Sequence, residues 1–255
     1  MAATRAPDRW PVIRQEWRHL LFVHWVVDAG AVQRLLPPGL DVDTFDGQAY
    51  VGLVPFTVRG TRPPLLPPLP VVSRFHEVNL RTYVHRGGRE PGVWFFSLDA
   101  TSRATVIGAR AWFRLPYHFA RIRMELEPGV QVGFECSRPG PKPAGCSLRY
   151  RPAGPVRMAE PGSLEYFLAE RYILYASDGD GLRQGRVAHE PYPLQPGEVD
   201  GMQETLSAAA SVPATRGDRL VHYASGVSVR IYAPVQLGDG GAASAAGGGT
   251  SSASR

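Results

Sequence analysis

Phe75-His76-Glu77-Val78-Asn79-Leu80-Arg81-Thr82-Tyr83-Val84-His85 alternates with a period of two. His76, Val78, Leu80, Thr82 and Val84 make one largely apolar face, and Phe75, Glu77, Asn79, Arg81, Tyr83 and His85 make the other. This is the pattern of a β-strand. In an open sheet the polar face would meet water. In a closed barrel it would line the interior, because residues alternate in and out along every barrel strand. The next strand, Val93–Asp99, bears on the choice. Trp94, Phe96 and Leu98 alternate with Val93, Phe95, Ser97 and Asp99, so both faces are apolar over most of its length and both must be covered. Its polar end, Ser97 and Asp99, is therefore expected beside or inside a core together with Glu77, Asn79 and Arg81. Polar groups held there must find partners, at about 1–3 kcal/mol for each one that does not. A structural salt-bridge network of Glu77, Arg81 and Asp99 satisfies that demand, and so does a site for a small polar ligand.

Working outward, strand signals dominate. Phe45-Asp46-Gly47-Gln48 lies between Leu40–Thr44 and Ala49–Val58, and Asp-Gly between apolar runs predicts a hairpin. Around Glu127-Pro128-Gly129, His118, Ala120, Ile122, Met124 and Leu126 share a face opposite Arg121, Arg123 and Glu125. Val130, Val132, Phe134 and Cys136 then share a face, as do Cys146, Leu148 and Tyr150. This predicts an antiparallel meander with one wet side. Three short helices are expected: Ala29–Leu36 capped by Asp28, Arg103–Phe113 capped by Ser102, and Leu164–Tyr172 capped by Ser163. The fold class is mainly β with a few packed helices.

The chain has 255 residues, 44% of them hydrophobic, enough for one sizeable core. The expected organisation is an arm over residues 1–16, a single domain over 17–237 and a disordered Gly/Ala/Ser tail over 238–255. No apolar run reaches the length of a membrane span. Met1–Trp17 is charged and Pro-broken, unlike a signal peptide, so neither a membrane nor export is expected. Cys136 and Cys146 allow at most one bridge, which fits a reducing cytosol. The net charge of +5 invites a nucleic-acid reading, but Lys142 is the single lysine among 28 basic residues and the arginines are dispersed. No basic block forms, so nucleic acid is not the expected partner.

The usual catalytic signatures are absent. His76-Glu77 opens like a zincin helix, yet Leu80 stands where the second histidine belongs. The seven histidines are scattered, so no metal is expected, and no Gly-x-Ser-x-Gly elbow, P-loop or dinucleotide fingerprint occurs. No cofactor is implied. The Pro-rich stretch Thr61–Pro70 could dock a partner as an extended helix or serve as a rigid loop.

Several strings resemble the YqjF-like family of uncharacterised bacterial proteins. They are Leu35-Leu36-Pro37-Pro38-Gly39-Leu40, Phe45-Asp46-Gly47, Glu77-x-Asn79-x-Arg81-Thr82-Tyr83-Val84 and Gly92 to Ala100. Ala109-Arg110 through Leu115-Pro116-Tyr117, and Glu170-Arg171-Tyr172 with Leu174-Tyr175, belong with them. The resemblance spans about Trp17 to Val235 and departs at Tyr192, where the family usually has Trp. It implies an acetoacetate decarboxylase-like, cone-shaped antiparallel β-barrel with flanking helices and an internal cavity. In acetoacetate decarboxylases a lysine forms a Schiff base with the substrate ketone. The similar place here reads Leu115-Pro116-Tyr117-His118, so Tyr117 or His118 stands where the amine would be. Lys142, in a Gly/Pro loop, is not its replacement.

Two functional expectations follow. One is a binding protein that holds a small carboxylate or carbonyl compound through Asn79, Arg81, Trp94, Ser97, Asp99 and Arg110. The other is a lysine-independent acid–base enzyme, a lyase, hydratase or isomerase, with Glu77 as base and His118 or Tyr117 as acid. A scaffold acting through the Pro-rich loop is a third, and homo-oligomerisation is left open.

Overall fold

The structure is a computed structural model that describes residues 7–238 except 69, 71, 128–130, 142, 178 and 180. The expected tail beyond Gly238, the Pro128-Gly129 turn and Lys142 lie outside the described residues.

In chain order the elements are β1 (Ile13–Val27), α1 (Ala29–Gln33), β2 (Asp41–Val42), β3 (Ala49–Arg62), β4 (Arg74–Arg86) and β5 (Arg89–Ala100). Then come α2 (Arg103–Phe113), β6 (Tyr117–Phe119), β7 (Arg121–Glu127), β8 (Gln131–Arg138) and β9 (Ala144–Pro152). The rest are α3 (Leu164–Ala169), β10 (Ile173–Ser177), β11 (Leu182–Ala188), β12 (Leu194–Glu204), α4 (Leu206–Ala209) and β13 (Arg216–Gln236). Strands β1, β3, β4, β5, β10, β11 and β13 follow one another around a ring, which closes because β13 pairs with β1. Along its other edge β13 pairs first with β12 and then with β11. At that fork a second sheet, β12-β9-β8-β7, leaves the ring and folds over it.

The main core lies between these layers. Leu21, Val23, Val51, Leu53, Val78 and Leu80 on the ring's outer face pack against Val132, Phe134, Leu148 and Tyr150 of the second sheet. A separate cluster that includes Leu20, Phe22, Val54, Phe56 and Val229 fills part of the ring interior. Both faces of β1 are thus covered, which is why Leu20–Val27 reads as a nearly unbroken apolar run. The expected meander is present, with β7, β8 and β9 antiparallel and in simple register. Cys136 and Cys146 sit directly opposite each other in it, buried and unbridged.

Strand parity changes at one level of the ring. Ile13, Gln15 and Trp17 point inward along β1, and so do Leu20 and Phe22 further on. Odd and even positions can share a face only across an irregularity. The β1–β3 register slips between Arg18 and Val23, and His19 takes φ +54°. Opposite Arg18 on β13 stands Gly226 at φ +154°. Another slip, in β5 between Ser97 and Phe95, brings both Leu98 and Phe95 inward. Bulges re-aim side chains in this way at barrel rims and sites.

Three expectations need correction here. Residues 13–16, assigned to the arm, belong to β1 and pair on both sides. The Asp46-Gly47 turn forms, with φ of +49° and +76°, and closes an antiparallel bridge between Phe45 and Gln48, but the hairpin extends no further because β2 pairs with β4 instead of β3. Ser163 caps a helix that ends at Ala169, not Tyr172.

A Cβ at Gly226 would stand 2.4 Å from the Trp17 carbonyl oxygen, whereas one at Gly108 on α2 meets nothing within 4 Å. Gly226→Ala is expected to destabilise the protein by about 2–4 kcal/mol. Gly108→Ala should stabilise it by about 0.5–1 kcal/mol. Urea unfolding midpoints of the two variants check both.

Candidate functional site

Inside the ring is a cavity of about 130 Å³. Its walls are mostly apolar: Phe22, Val54, Phe56, Phe95, Leu98 and Leu174 contribute, with Tyr192 closing one side. Helix α2 covers it with Thr105, Ala109 and Phe113, positions four apart that share one helical face. That helix starts at Ser102, whose hydroxyl accepts the Thr105 N–H at 3.2 Å. A larger depression of about 590 Å³, at the end of β7, β8 and β9, is a solvent-open groove with no link to this chamber's chemistry.

Three polar side chains of β4 point into the chamber, at the alternate positions Glu77, Asn79 and Arg81. The Tyr117 hydroxyl, delivered by β6, donates to Glu77 Oε2 at 2.9 Å. Burial pushes the Glu77 carboxyl up to about 8; the Tyr117 and Asn79 hydrogen bonds oppose this, and the Asp99 charge adds to it. Glu77 is therefore neutral over most of the physiological range. Burial and the same carboxyl push the Tyr117 phenol up as well.

Arg81 is the charged group of the chamber. One guanidinium nitrogen donates to the Leu168 carbonyl at 3.0 Å, near the C-terminal end of α3, where helix carbonyls lack intrahelical donors. The Tyr83 hydroxyl donates to the same oxygen at 2.7 Å and lies 2.7 Å from His24 Nε2. With Tyr83 donating to Leu168, His24 carries its proton on Nε2. Burial, reinforced by Arg81, holds His24 well below the usual imidazole range, so it is neutral. The Arg81 guanidinium carbon stands 5.5 Å from the Phe22 ring centre. Among the described residues no carboxylate reaches Arg81. Its Nε and the Asn79 Oδ1 are buried without a partner.

Of the sequence candidates, Glu77, Asn79, Arg81 and Tyr117 share this chamber, and the others do not. Asp99 pairs with Val78 in register, so it faces out of the ring toward the second sheet. There it is fully buried in a two-pronged pair with Arg138, at 2.6 and 2.5 Å. The Glu77–Arg81–Asp99 network is therefore corrected: Asp99 reaches Glu77 only through its field. Ser97, opposite Leu80, and Trp94, opposite Thr82, also face outward, Trp94 among Leu40, Val84 and Tyr175. His118 stands beside Asp99, and burial and Arg138 lower it. Arg110 is exposed on α2 and binds the Tyr117 carbonyl through Nε at 2.6 Å. For Ser97 and Asp99 the physical cause is the β5 irregularity, which breaks the alternation on which their assignment rested. Gln15 and Trp17 line the cavity without having been singled out, and Tyr192, where the chain departs from the family pattern, forms part of its wall. Gln15 and Trp17 lie before the apolar run Leu20–Val27, among Arg14, Glu16 and Arg18, and no local pattern pointed to them.

Glu170 and Arg171 do not pair with each other. Glu170 accepts from the Tyr192 N–H at 2.9 Å and from the Tyr172 hydroxyl, and Arg171 binds Asp43 at 2.7 Å. The Pro-rich loop exposes Leu65 and Leu66 and contributes nothing to the cavity wall. No group of three His, Cys, Asp or Glu among the described residues could hold a metal, and no helix there is long and apolar enough to cross a membrane.

A carboxyl raised from about 4.3 in the unfolded chain to about 8 in the fold binds its proton more tightly when folded. Its contribution to stability is fully present below about pH 4.3 and is lost as pH rises through 8. Glu77→Gln should remove that decline, so the gain in urea midpoint over wild type is larger at pH 9 than at pH 6. An equal difference at both values would show that the carboxyl is not raised.

The family model of uncharacterised conserved proteins designated DUF2071 matches residues 14–228. The uncharacterised protein YqjF of Bacillus subtilis (strain 168) is 38% identical over 226 residues, covering 89% of this chain and 93% of that protein. The enduracididine biosynthesis enzyme MppR, in complex with pyruvate, superposes with a TM-score of 0.63 at 16% identity, over 92% of this chain and 93% of that one. An acetoacetate decarboxylase-like enzyme from Sphingomonas wittichii RW1 gives 0.60 at 18% identity, over 89% and 93%. At such identities the structural likeness speaks for the fold alone: a mainly β, acetoacetate decarboxylase-like fold. By sequence, the chain belongs to the YqjF-containing family of uncharacterised conserved proteins.

Proposed function

We propose that the ring cavity binds a small carboxylate without forming an imine. The observation that carries this reading is Arg81: a buried guanidinium with an unpartnered Nε, aimed into a chamber where the neighbouring carboxyl is neutral. A bound monoanion would supply the missing counter-charge and accept from Nε, and charge-assisted bonds of this type are the strong ones. The apolar walls would cover the remainder of the ligand. The volume lies well below the roughly 300–1,000 Å³ of drug-sized pockets, so the ligand is small. No described residue of the wall is a lysine, in keeping with noncovalent binding. A protein of the same fold has been crystallised with pyruvate, which makes small oxo and hydroxy acids the natural first probes.

The test is a thermal-shift series with pyruvate, lactate and acetate against their amides. A hundredfold excess over Kd should raise the melting temperature by about 5–10 °C. Arg81→Met should abolish the response while keeping or improving ligand-free stability, because it removes a buried charge. No response to any acid, or an undiminished response in Arg81→Met, would overturn the reading.

One observation favours chemistry on the same ligand. Tyr117 donates to Glu77 at 2.9 Å inside the chamber, and a carboxyl titrating near 8 suits proton transfer at neutral pH. His118, outside the chamber, drops out of this role. Exchange of the methyl protons of pyruvate with D2O, followed by NMR, should be accelerated by the wild type and fall at least about 100-fold in Glu77→Gln. Equal exchange in both would leave Glu77 with a binding role alone.

A further inference from the structure

The second sheet ends at β7, Arg121-Ile122-Arg123-Met124-Glu125-Leu126-Glu127, which pairs with β8 along one edge. Among the described residues no strand pairs with its other edge. Such an edge presents a row of free N–H and C=O groups, and proteins normally blunt it with bulges, proline or inward charges. Here β7 runs straight in register with β8 and contains no proline.

Its charges are ordered instead. Both arginines lie in the first half and both glutamates in the second. A two-fold axis through Met124 sets the strand antiparallel to its own copy. Arg121 then faces Glu127 of the second copy, and Arg123 faces its Glu125. On the other face Ile122 meets Leu126, and Met124 meets Met124. Moving the axis one residue either way sets Arg123 or Glu125 against itself. Cross-strand pairs of opposite charge stabilise and like charges directly opposite destabilise, so the strand is complementary to itself in one register. The side chains of this row are available: Arg123 is 72% and Glu125 55% exposed, and among the described residues they pair with each other along the strand. Leu126 is 55% exposed beside the buried core that Ile122 and Met124 help to seal. A second copy would cover it.

We propose that β7 is the interface of a two-fold symmetric dimer, in which the second sheets of two copies join edge to edge. Isologous contact of one patch with itself is the commonest form of association in soluble oligomers. Sedimentation velocity of the full chain over a concentration series should show a monomer–dimer equilibrium that weakens as salt rises, since the pairs are exposed. Arg123→Glu and Glu125→Arg each place like charges across the axis and should raise the dimer dissociation constant at least about tenfold. Mixing the two variants restores opposite charges at every facing position, so the mixture should dimerise where neither variant does alone. The double variant R123E/E125R should dimerise as the wild type does. A wild type that stays monomeric throughout at low salt overturns the proposal. So does a dimer indifferent to both single changes, or a mixture that fails to associate.

Discussion

A guanidinium inside a largely apolar ring, with no carboxylate among the described residues to balance it, is the constraint on which the rest of this structure turns. Removing such a charge from water costs on the order of several kcal/mol even after the protein relaxes. Arg81 recovers part of this from the Leu168 carbonyl and from the Phe22 ring. One donor nonetheless stays idle. Glu77, two strand positions earlier on β4, could have supplied the opposite charge, but it is buried so deeply that it keeps its proton. The chamber thus carries a net positive charge by construction, and it remains small, dry-walled and covered by α2 and Tyr192.

The fold makes such a chamber by breaking its own regularity. An unbroken strand alternates in and out, and a ring of them would fill its interior with one set of side chains. Irregularities at His19, Gly226 and near Phe96 occur in three strands, β1, β13 and β5. Each turns bulky residues so that Trp17 and Leu20, or Phe95 and Leu98, both reach the same chamber. The outer faces of the same strands are sealed by the second sheet, which also takes up Asp99 through Arg138. Two carboxylates on neighbouring strands are thereby separated by a sheet. Glu77, in the chamber, is held neutral, while Asp99 is paired on the far side and contributes to that effect through its field.

Much of this was legible in the sequence where local rules are strong. The alternation of Phe75–His85 placed Glu77, Asn79 and Arg81 on one face, where they are. The caps at Asp28, Ser102 and Ser163 all form. The meander around Cys136 and Cys146 is antiparallel, as expected. What stayed hidden depends on interruptions of periodicity. Counting by twos through Phe95, Ser97 and Asp99 puts all three on one face, and the β5 irregularity, which has no glycine or proline to announce it, sends Asp99 to the other side. The partner that neutralises Asp99, Arg138, lies 39 residues away on a different sheet. Ring closure through β13 joins the two ends of the chain, and no local pattern reports it.

The most direct measurement is a crystal structure of the protein grown with pyruvate at saturating concentration. The account predicts the ligand's carboxylate inside the ring, accepting from Arg81 Nε, with its methyl group against Phe22 or Phe56. A ring interior holding only water, with pyruvate bound on the outside or nowhere, would contradict it.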